Sequence, residues 1–232
     1  MYQLHIANKN YSSWSLRPWL LLSELGIPFE EHLVTFAQGN GASWQAFRAF
    51  SPSGKVPCLH DGERVVWDSL AIAEYLAERH MDVWPSDPDA RAWARCAAAE
   101  MHAGFAALRN RCGMNCGLRI RLPDELPAAL QVDIARIDEL WSEGLARFGG
   151  PFLAGAKFGA VDAFFAPVAF RIQSYGLQLG APSSDYAQRL LALPGMRRWY
   201  DAALQESWRD EEHEREARQS GTVWQDLRVP AS

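Results

Sequence analysis

The chain has 232 residues, of which 48% are hydrophobic and 22% charged, and its net charge of −5 is shared between its two halves. That length suits one large domain or two small ones, at roughly 100–200 residues each, and buries a core without a metal or disulfide staple. Ordinary apolar and charged fractions exclude a disordered chain, no run reaches the ~20 apolar residues that cross a bilayer, and an acidic chain without a basic half is expected to bind neither nucleic acid nor membrane.

Tyr2–Ile6 alternates and predicts a strand. Its start, MYQLHIANKN, has no cationic segment leading into an apolar stretch, which argues against a secretory leader. Ser15–Leu25 is apolar at helical spacing, stops at Gly26 and carries Pro18 early, where a missing N–H costs little. Phe29–Val34 reads as a second strand. Val56–His60 and Val65–Trp67 read as two more, joined through the Asp61-Gly62 step of a hairpin. Leu70–Arg79 is helical, with Leu70, Ala73, Leu76 and Ala77 on one stripe. WPSDPDAR, residues 84–91, has the composition of a linker. Beyond it there is almost no strand signal. A helix is expected over Ala90–Arg109, another through Leu126, Leu130, Ile134, Ile137, Leu140 and Trp141, then a break at Gly149-Gly150-Pro151. Further helices follow at Asp162–Tyr175, Tyr186–Leu191 and Gly195–Trp208, and the charged stretch 206–218 reads as a solvated helix end. The expected organisation is an α/β domain (1–80), a linker (81–90) and an all-helical domain (91–232).

The four cysteines, Cys58, Cys96, Cys112 and Cys116, form no C-x-x-C pair. With His102 they match no zinc spacing, so no metal is expected and the thiols are read as buried and reduced, in a cytoplasmic setting.

Three segments of the first domain carry chemistry. Ser12-Ser13-Trp14-Ser15-Leu16-Arg17 lies between the first strand and the first helix. A helix N-terminus offers free N–H groups and partial positive charge, which favour an anion; a thiolate there has a lowered pKa and can accept a bond from a hydroxyl. The plainer reading makes Ser12 or Ser13 a helix N-cap. Lys55-Val56-Pro57 leads into the third strand: an extended residue before proline leaves its backbone free to pair with a peptide-like ligand, and a cis Val56–Pro57 bond would fix that edge. Asp68-Ser69 stands at the start of the helix DSLAIAEYL, either as a cap or as a seat for a ligand carboxylate on Ser69 and backbone N–H groups, with Asp68 meeting a ligand ammonium.

SSWSLRPWLLLSELGIPF, SPSGKVPCL and WDSLAIAEYLAE, in that order, resemble the glutathione-binding half of a glutathione S-transferase. The first resembles the serine-type branch, zeta and tau classes, whose Ser-x-x-x-x-Arg pattern is matched by Ser12 and Arg17. GAKFGAVDAFFAPVAFRI resembles the family's buried helix start, with Gly159 in place of a Ser or Thr, so that the capping falls to Asp162. The resemblance implies a thioredoxin-like first domain and a helical second one. It implies glutathione as co-substrate, with its cysteinyl backbone on Val56–Pro57, its γ-glutamyl end on Asp68 and Ser69, its glycyl carboxylate near Lys55 or the Phe36–Ala42 loop, and its thiolate held by Ser12. Ser13 is the next choice for that role and Tyr11 a third. It also implies a homodimer.

The zeta-class isomerases carry Ser-Ser-Cys where this chain has Ser12-Ser13-Trp14, a departure that counts against maleylacetoacetate isomerase activity while leaving an isomerase of that kind as an alternative. Without a cysteine in that loop, a mixed disulfide cannot form there. The expected electrophile pocket takes Trp14, His102, Phe105, Arg109 and Asn115, with Arg111 and Met114 nearby. Arg109, Arg111, Arg119 and Arg121 form a basic cluster, suited to an acidic co-substrate or simply to a solvated face. The alternatives to a conjugating or peroxide-reducing transferase are a glutathione-dependent isomerase or dehalogenase, and a non-catalytic module of the same fold.

Overall fold

The computed structural model describes residues 1–39 and 41–231; position 40, inside the Phe36–Ala42 loop, and position 232 lie outside the described residues. Strand β1 (Tyr2–Ile6) is central. It pairs in parallel with β2 (Phe29–Leu33) and antiparallel with β3 (Cys58–Asp61), which forms a hairpin with β4 (Arg64–Trp67), giving the order β2-β1-β3-β4. A parallel neighbour requires a crossover, and α1 (Ser13–Glu24) supplies it. Gly62 takes a left-handed φ of 60° in the hairpin turn. Helix α2 (Ala42–Phe47) lies in the connection before β3, and α3 (Ser69–Ala77) follows the sheet.

The second half contains α4 (Pro88–Ala103), α5 (Ala106–Arg111), α6 (Ala128–Phe148), α7 (Ala160–Tyr175), α8 (Ala181–Ala192), α9 (Pro194–Gln205) and α10 (Glu211–Ser220). The expected α/β half followed by a helical half is observed. One hydrophobic core runs through both, because α1 is buried on nearly every face between α7, α3 and α9. No helix among the described residues is long and apolar enough to cross a membrane.

Several elements differ from expectation. The helix expected over Ala90–Arg109 is broken at Gly104-Phe105, where Phe105 adopts φ 57° and a Cβ on Gly104 would stand 2.8 Å from the Glu100 carbonyl. The amide of Leu108, freed by the break, is taken by Asp133 at 2.9 Å. Two strands, β5 (Leu118–Arg121) and β6 (Thr222–Asp226), pair antiparallel; each is too short to show a clear period, and they lie a hundred residues apart. Stretch 206–218 is not a solvated end: α10 buries Glu214 and Ala217. Helix α1 begins at Ser13 rather than Ser15, so Pro18 sits past its first turn and leaves the Trp14 carbonyl without a helical donor. Cys58, Cys112 and Cys116 are buried, but Cys96 is exposed on α4.

Asp162 ties the start of α7 to the helical half of the core. Its carboxylate accepts from Gly159 N (2.9 Å), Leu153 N (3.0 Å) and the Tyr186 hydroxyl (2.7 Å), while Ala160 N donates to the Val83 carbonyl. A Cβ on Gly159 would stand 3.1 Å from that carbonyl oxygen, a tight contact, and with no side chain at this position the capping falls to Asp162. Burial pushes this carboxyl up to about 6, against the pull of its three donors. Replacing Asp162 by Ala strips three donors in a dry site, so we expect a loss of about 2–4 kcal/mol in denaturant unfolding, against about 1 kcal/mol for Tyr186→Phe.

On the sheet, His5 stacks on Phe50 (4.4 Å between centroids) and His32 (4.8 Å) and lies tilted against His60 (4.6 Å), and neither of its ring nitrogens has a partner among the described residues. Burial, then the His60 and His32 charges, pulls its pKa down to about 4, with Glu30 opposing. A histidine whose folded value lies below 6.5 contributes stability that is present above pH 6.5 and is lost as pH falls towards 4. The stability difference between wild type and His5→Phe, measured by denaturant unfolding across that window, should shift in favour of the variant as pH falls.

Candidate active site

The loop from β1 into α1 is a polar turn, with Ser12 N donating to the Asn8 carbonyl at 2.9 Å. Ser12 occupies the N-cap position of α1 without a side-chain cap bond. Its hydroxyl instead donates to Ser15 Oγ at 2.7 Å, and Ser15 Oγ accepts from Ala7 N. Ser12 is 4% exposed, while Ser13, the first helical residue, is more open. With no acidic residue in the first turn, the positive end of α1 is left without a counter-charge from its own sequence.

This helix start opens on a cleft of about 480 Å³ lined by Ser12, Ser13, Trp14, Lys55, Val56 and Arg109. Phe36, Trp44, Met114, Arg171, His213 and Glu216 also line it. A larger groove, about 800 Å³, lies by the β5–β6 ribbon and takes Arg119, Arg121 and Trp224; it meets no helix start and none of the three motifs. The basic cluster read from sequence is therefore split, Arg109 to the cleft and Arg119 and Arg121 to the ribbon.

The Val56–Pro57 bond is cis, and Val56, ahead of β3, has no backbone partner for its N–H or C=O among the described residues. Pro57 is buried behind it. Asp68 takes a left-handed φ of 74° and caps Leu70 N through Oδ1 at 2.9 Å; its Oδ2 lies 3.5 Å from His102 Nε2. Buried Ser69 meets Arg17 Nη1 at 3.5 Å. Arg17 and Arg109 both lie over the Trp14 ring, at 4.1 and 4.5 Å from its centroid, with His102 edge-on. Asp68 and Ser69 do not line the cleft themselves but border it through Trp14 and Arg17. Burial, then the charges of Arg171 and Arg109, lowers Arg17 to about 9, and only Asp68 opposes.

Three residues expected in the electrophile pocket, Asn115, Phe105 and His102, do not line the cleft. Asn115 is 2% exposed, bonding Glu214 Oε1 (3.2 Å) and accepting from Leu118 N. Phe105 is a core residue at the α4–α5 break, because the left-handed kink turns it inward. His102 is adjacent to Trp14 rather than on the cleft wall. The Tyr11 hydroxyl is committed to Glu214 Oε1 at 2.8 Å, so it does not point at the helix start as a free donor.

Sequence reasoning missed Arg171, His213 and Glu216. Arg171 had a signal: it is the one basic residue inside the apolar run AVDAFFAPVAFRI. His213 and Glu216 had none, since they sit in a charged tail whose docking only the tertiary structure shows. That tail straps the site. Trp208 Nε1 donates to the Phe36 carbonyl (3.0 Å), His213 stacks on Tyr11 and lies tilted against Phe36, and Glu214 pairs with Arg228.

Both halves of the chain match known family models: the glutathione S-transferase N-terminal domain over residues 11–79 and the C-terminal domain over 90–202. The chain belongs to the glutathione S-transferase family. It is 26% identical over 171 residues to the glutathione S-transferase-like protein OpS6 of Beauveria bassiana, covering 71% of this chain and 76% of that one. It is 30% identical over 159 residues to a zeta-class glutathione S-transferase of Euphorbia esula, covering 67% and 70%. A glutathione transferase homolog from Burkholderia, solved with bound glutathione, shares the fold at a TM-score of 0.65 and 21% identity, covering 87% of this chain and 97% of that one.

The Glu214–Arg228 pair carries the strap: their side chains are 6% and 2% exposed. Burial alone would raise the Glu214 carboxyl, but Arg228, then Tyr11 and Asn115, hold it below its ordinary value. Arg228→Met leaves that carboxylate buried without its main partner and should cost about 3–5 kcal/mol, with faster amide exchange over 206–229 and the Tyr11 loop. Arg218→Ala, which removes an exposed partner of the same glutamate, should cost under about 1 kcal/mol.

Proposed function

We propose that this transferase is of the serine type: it binds glutathione in the cleft, holds the cysteinyl sulfur as a thiolate at the start of α1, and transfers it to a small electrophile. The observation that carries this is the uncapped N-terminus of α1, lined by Ser12 and Ser13 and facing a cleft with Lys55, Arg109 and Arg171 on its walls.

A thiol of ordinary pKa near 8.5 must drop by roughly one to two units to be largely ionised at neutral pH. Each unit needs about 1.4 kcal/mol of preference for the thiolate, and one hydrogen bond to a charged acceptor supplies about 1.5–3 kcal/mol. A single hydroxyl plus the helix start is therefore sufficient. Ser12 gives that bond by rotating its proton from Ser15 Oγ to the sulfur; Ser13 is the neighbouring candidate. The serine stabilises charge and takes no proton. The thiol proton leaves to water, the sulfur lone pair forms the new bond to carbon, and the displaced group departs with its electron pair.

Val56, with its backbone unpaired, suits the cysteinyl amide and carbonyl of glutathione; Lys55 suits the glycyl carboxylate, and Ser69 with Asp68 the γ-glutamyl end. In this reading residues 1–80 bind glutathione, 81–90 link, 91–232 present the electrophile, and the protein works as a homodimer in the cytoplasm.

Ultraviolet titration of protein-bound glutathione tests the assignment. Wild type should show the thiolate already formed near pH 7. Ser12→Ala should raise the apparent pKa by one to two units, as loss of one such bond predicts, and lower turnover by about 10- to 100-fold, with glutathione affinity within a few-fold. Unchanged turnover in Ser12→Ala together with its loss in Ser13→Ala would move the role by one residue. Glutathione bound as an ordinary thiol, or not bound, would favour the non-catalytic module.

A further inference from the structure

Arg171 is a charged side chain within the apolar helix α7, and it is 4% exposed. Its Nε donates to the Cys112 carbonyl at 2.8 Å, while Nη1 is buried with no partner. Among the described residues it forms no ion pair, although it lines the cleft beside Met114 and Arg109. Arg109 acts on it unfavourably and Arg17 shares its sign, whereas the groups whose ionised forms would favour its charge, Tyr175, Cys112 and Cys116, are a phenol and two thiols that burial keeps protonated. Of the nearby acids, Glu214 is neutralised by Arg228, Asp68 is beside His102, and Glu216 is exposed. A buried guanidinium without a counter-ion is costly, and an arrangement of two or three is costlier. The cost falls when an anion is the normal occupant, and the planar fork of arginine fits a carboxylate with two parallel bonds.

We propose that Arg171, with Arg109, forms an anion subsite on the helical side of the cleft, so that the favoured electrophile carries a carboxylate. The inference rests on the transferase reading above and adds the substrate class. Glutathione has carboxylates of its own, but the groups suited to them, Lys55 and Ser69, belong to the α/β half, whereas Arg171 stands with Asn110, Gly113 and Met114 of the helical half.

The test uses unreactive ligands first. With S-methylglutathione saturating the protein, 3,5-dinitrobenzoate should bind about 10- to 100-fold more tightly by calorimetry than neutral 1,3-dinitrobenzene, the ratio expected of one charge-assisted contact. Arg171→Met should abolish that preference and leave S-methylglutathione affinity within a few-fold. Arg171→Lys, and Arg109→Met on the exposed side of the pair, should each reduce it, which decides the matter if Arg171→Met does not fold. In turnover, Arg171→Met should raise KM for 4-chloro-3,5-dinitrobenzoate but not for 1-chloro-2,4-dinitrobenzene. In both reactions the C–S bond forms, the C–Cl bond breaks and chloride leaves with its electron pair. Equal affinity of the two dinitro compounds for wild type would overturn the subsite. So would competition between 3,5-dinitrobenzoate and S-methylglutathione, which would give Arg171 to a carboxylate of glutathione. Failure of S-methylglutathione to bind wild type would sink the transferase reading instead, and the two dinitro compounds titrated alone would still decide the subsite.

Discussion

The site depends on how the polar turn between β1 and α1 is held. That turn exposes main-chain N–H groups next to a hydrophobic core, and the segment has no acidic side chain with which to satisfy them. The C-terminal half provides the partners. Glu206 accepts from Lys9 N and Asn10 N, Trp199 Nε1 donates to the Lys9 carbonyl, and Asn10 Oδ1 accepts from Gly117 N. With the turn fixed from behind, the front of the helix start stays free of side-chain caps and faces the cleft. Burial pushes the Glu206 carboxyl up while the Lys9 and Asn10 amides draw it back, so the anchor is a carboxylate whose ionisation is held by the turn it anchors.

The same division of labour recurs in the cations. Arg17, Arg109 and Arg171 come from α1, α5 and α7 and gather around Trp14 and the cleft. A core rarely collects like charges unless something of opposite charge visits it. The Trp14 face takes two guanidiniums by cation–π contact, which keeps them close without supplying a counter-charge. Here the positive helix end and the positive side chains add, so the cleft favours anions at both of its walls.

Legibility in the sequence followed locality. The alternating Tyr2–Ile6 strand, the Asp61-Gly62 turn, the Leu70–Arg79 stripe and the capping by Asp162 were legible because each is fixed by residues within a few positions of one another. The three motifs were legible as a set through their order and their resemblance to a family. Features that depend on distant partners were not. The β5–β6 ribbon pairs segments a hundred residues apart, and Glu214 becomes a core residue only because Arg228 and Tyr11 meet it. The co-substrate side was read least well for the same reason. Asn115 looked like a polar pocket residue but serves Glu214 and Leu118, whereas Arg171 looked like an interruption of an apolar helix and lines the cleft.

By itself the sequence determined the two-part architecture and the turn that opens α1, because hydrophobic period and turn chemistry are local properties. The tertiary structure decided which charges are neutralised. Tyr11, Glu214 and Arg228 close on one another, while Arg171 has no ion pair among the described residues. Whether a charge is satisfied depends on the groups brought within a few ångströms by packing, and no spacing along the chain records that.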